Sequence, residues 1–170
     1  MKRKLIIILV LCITAILNAQ VKVGDKAPDF SLTDKNGKTF ELSSLLGKKN
    51  LVIYFYPKDE TSGCTAEACS FRDNYEEFLK YNCEVIGISN DTPDSHTSFV
   101  SNHNLPFILL SDDDHKVQKL YGVPKTGGIL PGRITYLVDK NGIAQMVFSS
   151  QTKATQHISE ALTTLKSLNE

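Results

Sequence analysis

The chain reads as a mixed α/β fold, a central sheet flanked by helices with a β-hairpin at its N-terminal end, and three observations lead there. Short apolar runs at Leu51–Tyr56, Cys83–Ser89 and Phe107–Leu110 alternate with helix-length stretches, the pattern of parallel strands joined by crossovers. Two Asn-Gly pairs, Asn36-Gly37 early and Asn141-Gly142 late, sit between segments of alternating polarity, which is a hairpin pattern. The chain closes on an amphipathic stretch, Thr152 to Leu168. With 170 residues, 41% of them hydrophobic and 22% charged, there is enough apolar material for one domain with a real core. No internal repeat, low-complexity tract or linker divides it.

Taken in order, Val21 to Pro28 is a lead-in. Phe30–Thr33 and Lys38–Leu42 form the first hairpin around Asp34-Lys35-Asn36-Gly37. Ser43 to Gly47 is one helical turn closed by glycine. Leu51–Tyr56 is the central strand, stopped by Pro57, which cannot donate to a sheet ladder. The pattern predicts a helix from Cys64 to about Lys80, whose apolar side is drawn from Ala66, Ala68, Phe71, Tyr75, Phe78 and Leu79. Cys83–Ser89 is a second buried strand. Pro93 suits the first position of a helix reaching about Asn102. A third strand at Phe107–Leu110 and a short helix from Asp114 to Tyr121, ended by Gly122, follow. Arg133–Val138 and Ile143–Ser149 make the second hairpin, and the amphipathic helix closes the chain. This order fits a thioredoxin-like core.

Residues 1–19 read as a signal peptide. Lys2, Arg3 and Lys4 form a basic start, Leu5 to Leu17 is an apolar run of 13 residues, and Ala19 offers a cleavage point. The run is short of the roughly 20 residues a membrane span needs. The expectation is therefore a domain over residues 20–170, exported and periplasmic, without stable membrane association after cleavage. Removing the leader takes away three basic residues and no acid. That leaves 16 Lys and Arg against 19 Asp and Glu, a net charge of −3, which argues against nucleic-acid binding by a basic surface. Three cysteines remain, Cys64, Cys69 and Cys83, too few for a disulfide framework and open to one pair with a spare, or to a reactive thiol.

Cys64 stands where the central strand hands over to a helix, so free backbone N–H groups and the positive end of the helix dipole favour a thiolate there. Moving an ordinary thiol from a pKa of about 8.5 to about 6 takes about 3.4 kcal/mol. A helix N-terminus supplies up to about 2 kcal/mol, and a cation must supply much of the rest. Lys58 is local, and Arg133 heads a distant strand. Four residues separate Cys64 from Cys69. On a helix that spacing advances about 7.5 Å and turns about 140°, leaving the Cα atoms about 9 Å apart. A disulfide needs them within about 7 Å. The two can join only if the first turns unwind, which describes a cycle rather than a fixed staple: a thiolate reacts, the helix frays, and Cys69 attacks the product. A peroxide fits the first step, because thiolate gives sulfenic acid and sulfenic acid condenses with a second thiol.

Pro57-Lys58-Asp59-Glu60-Thr61-Ser62-Gly63-Cys64 resembles the Pro-x-x-x-Thr-x-x-Cys pattern of peroxiredoxins, and Cys64-Thr65-Ala66-Glu67-Ala68-Cys69 resembles the peroxiredoxin Q, or bacterioferritin comigratory protein, subfamily. The opening Val23–Phe30, Leu110-Ser111-Asp112 and Arg133–Asp139 look like further landmarks of it, so the resemblance runs through nearly all of the chain beyond the leader. It implies a thiol peroxidase for hydrogen peroxide and organic hydroperoxides, with no metal or organic cofactor, re-reduced by a thioredoxin-like dithiol protein. Cys64 would be the peroxidatic and Cys69 the resolving cysteine. Thr61 would hydrogen-bond the peroxide, Pro57 would shield the thiolate, and Arg133 would hold the thiolate and polarise the peroxide. Ser62 departs from the family, which often has proline there. An exported thiol–disulfide oxidoreductase is the rival reading, but the chain has neither Cys-x-x-Cys nor tryptophan. A non-catalytic redox sensor is the other.

Plainer roles stand beside these. Cys83 begins an apolar strand and reads as core, or as a backup thiol. The four histidines, His96, His103, His115 and His157, show no metal-ligand spacing and read as ordinary surface or helix residues. Asp112-Asp113-Asp114 reads as a loop and helix start. Tyr54, Phe55 and Tyr56 read as core, with Tyr56 a candidate for the pocket mouth. No heptad run or long exposed apolar strand calls for assembly, so a monomer is expected.

Overall fold

The computed structural model describes residues 20–128 and 130–169, so the leader over residues 1–19 lies outside the described residues. The main sheet has seven strands: β1 (Ser31–Asp34), β2 (Thr39–Glu41), β3 (Asn50–Phe55), β4 (Cys83–Ser89), β5 (Ile108–Ser111), β8 (Ile134–Val138) and β9 (Ala144–Ser149). They lie in the order β2-β1-β5-β4-β3-β8-β9. Two short strands missed by the sequence pattern, β6 (Lys125–Thr126) and β7 (Leu130–Pro131), pair only with each other. β3, β4 and β5 are parallel, whereas β8 runs antiparallel to β3 and β1 antiparallel to β5. The sheet is thus mixed, as the alternation of strands and helices flanked by hairpins requires.

Both faces of the sheet are covered. β3 is buried along its whole length, and its side chains alternate between the two sides. Val52, Tyr54 and Tyr56 join one core with Phe71, Phe78, Phe99, Ile158 and Leu165. Leu51, Ile53 and Phe55 join the other with Phe30, Leu42, Val117, Tyr121 and Tyr136. The first core lies under α1 (Ser62–Asp73), α2 (Tyr75–Lys80), α3 (Pro93–His103) and α5 (Gln156–Ser167); the second lies under α4 (Lys116–Leu120) and the N-terminal segment. Fully burying an aromatic such as Phe71 contributes about 2–3 kcal/mol. Gly87 on β4 permits this packing, since a Cβ there would stand 2.7 Å from the Tyr54 ring.

The helix expected from Cys64 to Lys80 begins two residues earlier and is split. Asn74 interrupts it, donating from its side-chain amide to Ser70 O at 2.8 Å, which is the competition with the helix backbone that asparagine offers. The acidic triplet also resolves plainly. Buried Asp112 accepts from Val117 N and Gln118 N at 3.0 and 2.8 Å and so starts α4.

Pairing sets where the chemistry lies. Phe55 is opposite Ile134 across the antiparallel β3–β8 ladder. The chain leaving β3 and the chain entering β8 therefore meet at one edge, and Arg133 arrives beside the start of α1 from 69 residues away. Side-chain alternation turns Arg133, Thr135 and Leu137 toward α1 and α5.

Candidate active site

Thr61 is the N-cap residue of α1, with extended backbone, and Thr65 N–H closes the first helical turn onto Thr61 O at 2.8 Å. The N–H groups of Ser62, Gly63 and Cys64 precede that bond and have no partner within the helix. Cys64 is almost fully buried, at 1% exposure. Arg133 Nη2 donates to Cys64 Sγ at 3.3 Å. Of the two cations offered by the sequence, Lys58 is exposed and Arg133 is the one at the sulfur. A Cβ at Gly63 would stand 3.1 Å from Arg133 Nη2, so the guanidinium reaches the sulfur across a residue with no side chain.

Arg133 is held by four further contacts. Nη1 pairs with Glu67 Oε2, Nε donates to Gln151 O at 3.4 Å, the backbone N–H donates to Gln151 Oε1 at 3.1 Å, and Ser149 Oγ donates to Arg133 O at 3.3 Å. Glu67, one helical turn beyond Cys64, is fully buried, and that burial pushes its carboxyl up to about 8 against the pull of Arg133. The sequence reading passed over Glu67. A charged residue flanked by Ala66 and Ala68 on a helix that packs on a core was the available sign.

The loop from Pro57 to Thr61 is anchored on α3. Asp59, 4% exposed, accepts from Tyr56 OH at 2.7 Å, Ser95 Oγ at 2.8 Å and His96 Nδ1 at 2.9 Å. Burial pushes the Asp59 carboxyl up, but the hydrogen bond and charge of His96, with the two hydroxyls, hold it below the ordinary range. The Asp59 N–H donates to Asp91 Oδ2 at 2.8 Å. Glu60, in the left-handed region at φ 59°, reaches Asn102 Nδ2 and His103 Nε2, each at 2.9 Å. Thr61 is exposed, and its hydroxyl donates to Lys58 O at 3.0 Å, which leaves its lone pairs as acceptors. Pro57 is half-buried where the chain leaves β3. Tyr56, a candidate for the pocket mouth, is turned inward and engaged by Asp59. His96 and His157 are fully buried rather than on the surface, because each bonds the polar interior beside the site: His96 to Asp59, and His157 to Thr135 Oγ1 at 2.8 Å.

Cys69 is half-buried, off the face that buries Cys64, Glu67, Ala68 and Phe71, and Arg72 lies beside its sulfur. All three described cysteines are free thiols. Cys83 is fully buried and its thiol is pushed up to about 12 by that burial. It lies in the core. Among the described residues no group of three or more His, Cys, Asp or Glu is placed to hold a metal ion.

Comparison with known proteins gives one answer. Residues 23–147 match the AhpC/TSA family. The chloroplastic peroxiredoxin Q of Populus jackii is 50% identical over 151 residues, covering 88% of this chain and 70% of that protein. That of Sedum lineare is 50% identical over 151 residues, covering 88% and 81%. Among solved structures, peroxidoxin BcpB from Mycobacterium tuberculosis superposes with a TM-score of 0.82 at 34% identity, over 89% of this chain and all of that one. A Xylella fastidiosa PrxQ structure gives 0.82 at 28% identity, over 89% and 99%.

Proposed function

From the premise that this chain belongs to the AhpC/TSA family and is a thiol peroxidase of the peroxiredoxin Q type, we propose that Cys64 is its peroxidatic cysteine and Cys69 its resolving one. The observation that carries the assignment is Arg133 Nη2 at 3.3 Å from Cys64 Sγ at the N-terminus of α1. A guanidinium and unpaired helix N–H groups both favour the thiolate. The thiolate attacks the terminal oxygen of the peroxide, the O–O bond breaks, and the products are Cys64 sulfenic acid and water or an alcohol. Cys69 then attacks the sulfenic sulfur, water leaves, and a disulfide forms. A thioredoxin-like dithiol returns both thiols. Thr61 supplies a hydroxyl to the peroxide, Pro57 walls the sulfur from bulk water, and Arg133 also polarises the peroxide.

The same proposal includes a mature domain over residues 20–170, released after Ala19, exported to a periplasm and working as a monomer. The word chloroplastic in the names of the plant relatives is an address of those proteins.

The test is steady-state consumption of hydrogen peroxide by the mature protein with thioredoxin and its reductase. Turnover in wild type and none in Cys64→Ser is the expected result. Cys69→Ser is expected to stop after one peroxide per chain. Continued cycling of that variant would assign resolution to an external thiol, since Cys83 is sealed. No reaction of Cys64 with peroxide would return the thiol–disulfide oxidoreductase reading.

Closing the disulfide demands that α1 open from its N-terminus. Oxidation is therefore expected to raise amide hydrogen exchange across residues 61–72 while α3 stays protected. Unchanged protection in α1 would remove Cys69 from the resolving role.

A further inference from the structure

Arg133 is the only buried Lys or Arg among the described residues, yet two acids face it, Cys64 Sγ through Nη2 and Glu67 Oε2 through Nη1. The other Glu67 oxygen, Oε1, is buried with no hydrogen-bond partner among the described residues. It lies 3.6 Å from Nδ1 of His157, which α5 brings in from the opposite side. The surroundings decide where the imidazole proton sits. Nε2 faces the carbonyl of Ser150 at 3.0 Å, which can only accept, so Nε2 carries the hydrogen. Nδ1 keeps its lone pair and accepts from the Thr135 hydroxyl at 2.8 Å. Burial, helped by the charge of Arg133, pushes the His157 pKa down to about 4, so the ring is neutral. An ionised Glu67 would set a lone pair of Oε1 against a lone pair of Nδ1; a proton on Oε1 turns that repulsion into attraction.

Tyr54 on β3 also faces this site, and its phenol is kept un-ionised chiefly by burial. The charges of α2 are at the surface, where Glu77 pairs with Lys80 and Lys166 and Glu76 is exposed.

We propose that Cys64 and Glu67 share one proton under Arg133: in the reactive state the sulfur is a thiolate and Glu67 a neutral acid, and Glu67 gives up its proton as the sulfur is oxidised. The proposal rests on the reading of Cys64 as the peroxidatic cysteine. One guanidinium in an apolar site neutralises one anion, and a second anion would be buried without compensation. The upward push on the Glu67 carboxyl acts in the same direction.

The step balances. The thiolate bonds to the terminal oxygen of RO–OH, the O–O bond breaks, sulfur is oxidised to sulfenic acid, and the peroxide is reduced to RO⁻. The leaving oxygen becomes ROH with one proton, and Glu67, becoming a carboxylate, releases one. Arg133 is opposed by one negative charge before the reaction, on sulfur, and by one after it, on Glu67. Glu67 is a positioning residue in this scheme, acting through Arg133 without touching the peroxide.

The experiment uses a Cys69→Ser background, which stops at the sulfenic acid and leaves α1 wound. The protein is mixed near pH 7 with one equivalent of hydrogen peroxide in weak buffer with a pH indicator, while ultraviolet absorbance follows loss of the thiolate. With Glu67 present, no proton is expected to be drawn from solution for each thiolate consumed. With Glu67→Gln, about one is expected. Uptake of about one proton in both proteins overturns the proposal, because Glu67 was already ionised. Should Glu67→Gln fail to fold, infrared difference spectra of the Cys69→Ser protein decide: loss of a protonated-carboxyl C=O band on oxidation is expected, and no such loss overturns the proposal. If peroxide consumes no thiolate at all, the peroxidatic assignment falls first, a result distinct from thiolate loss with proton uptake.

Discussion

Replacing Arg133 with alanine is expected to slow oxidation of Cys64 by hydrogen peroxide by about 10²–10³-fold, the usual loss when a donor aimed at developing charge is removed from a water-poor site. Three losses combine. The sulfur loses the 3.3 Å contact from Nη2. In the proposed reaction the leaving oxygen of the peroxide loses the guanidinium beside the sulfur. Buried Glu67 loses the one guanidinium it faces among the described residues. The helix N–H groups at Ser62, Gly63 and Cys64 remain, so some activity is retained. Lysine at this position is expected to fall between the two, because one ammonium cannot face the sulfur and the Glu67 carboxyl group together as a planar guanidinium does. The check is a stopped-flow titration of Cys64 oxidation against peroxide concentration. A rate within a few-fold of wild type would assign the activation of the sulfur to the helix terminus alone.

Asp59→Ala is expected to cost about 3–4 kcal/mol of stability. It strands two buried donors, Tyr56 OH and His96 Nδ1, and the half-buried Ser95 Oγ, at about 1 kcal/mol or more each. Nε2 of His96 is already buried without a partner among the described residues, and the ring's other contact is a long one, Nδ1 to Tyr56 OH at 3.5 Å. The same change frees the loop that presents Pro57 and Thr61, and the peroxide reaction is expected to slow by about 10-fold or more, since positioning errors near 1 Å carry penalties of that order. Asp59→Asn keeps an acceptor for Tyr56 and is expected to recover part of both losses. Chemical denaturation and the same stopped-flow assay measure them. Unchanged stability in Asp59→Ala would mean that the three donors find other partners.

Much of this was legible from residue order. The strands could be read because β3 and β4 are buried on both sides, which forces unbroken apolar runs. Cys64 could be placed because Pro57 ends a strand and a helix starts within a few residues of it. The partnership with Arg133 could only be offered as one of two cations, because it depends on β8 pairing antiparallel to β3, a register no local pattern encodes. Glu67, His96 and His157 were opaque for a related reason. Buried polar side chains leave no periodic trace, and each is tolerated only by partners distant in sequence: Arg133 for Glu67, Asp59 for His96, Thr135 and Ser150 for His157. The break at Asn74 was hidden because the apolar spacing runs on through it.

Ser62 and Gly63 stand side by side between the Thr61 hydroxyl and the Cys64 sulfur, with opposite freedom to drift. Ser62 is the first residue of α1 and exposed, a position where proline, serine and most other residues serve at small cost. Exchange there alters the stiffness of the turn and little else. Gly63 has no such latitude. Its missing side chain leaves room for Arg133 to reach the sulfur, since a first carbon there would crowd Arg133 Nη2 at 3.1 Å. Any mutation away from glycine must move either the cation or the helix start. Adaptation of this enzyme to a new peroxide or a new compartment can therefore pass through residue 62 at little cost, while a change at residue 63 acts directly on the contact between Arg133 and the sulfur.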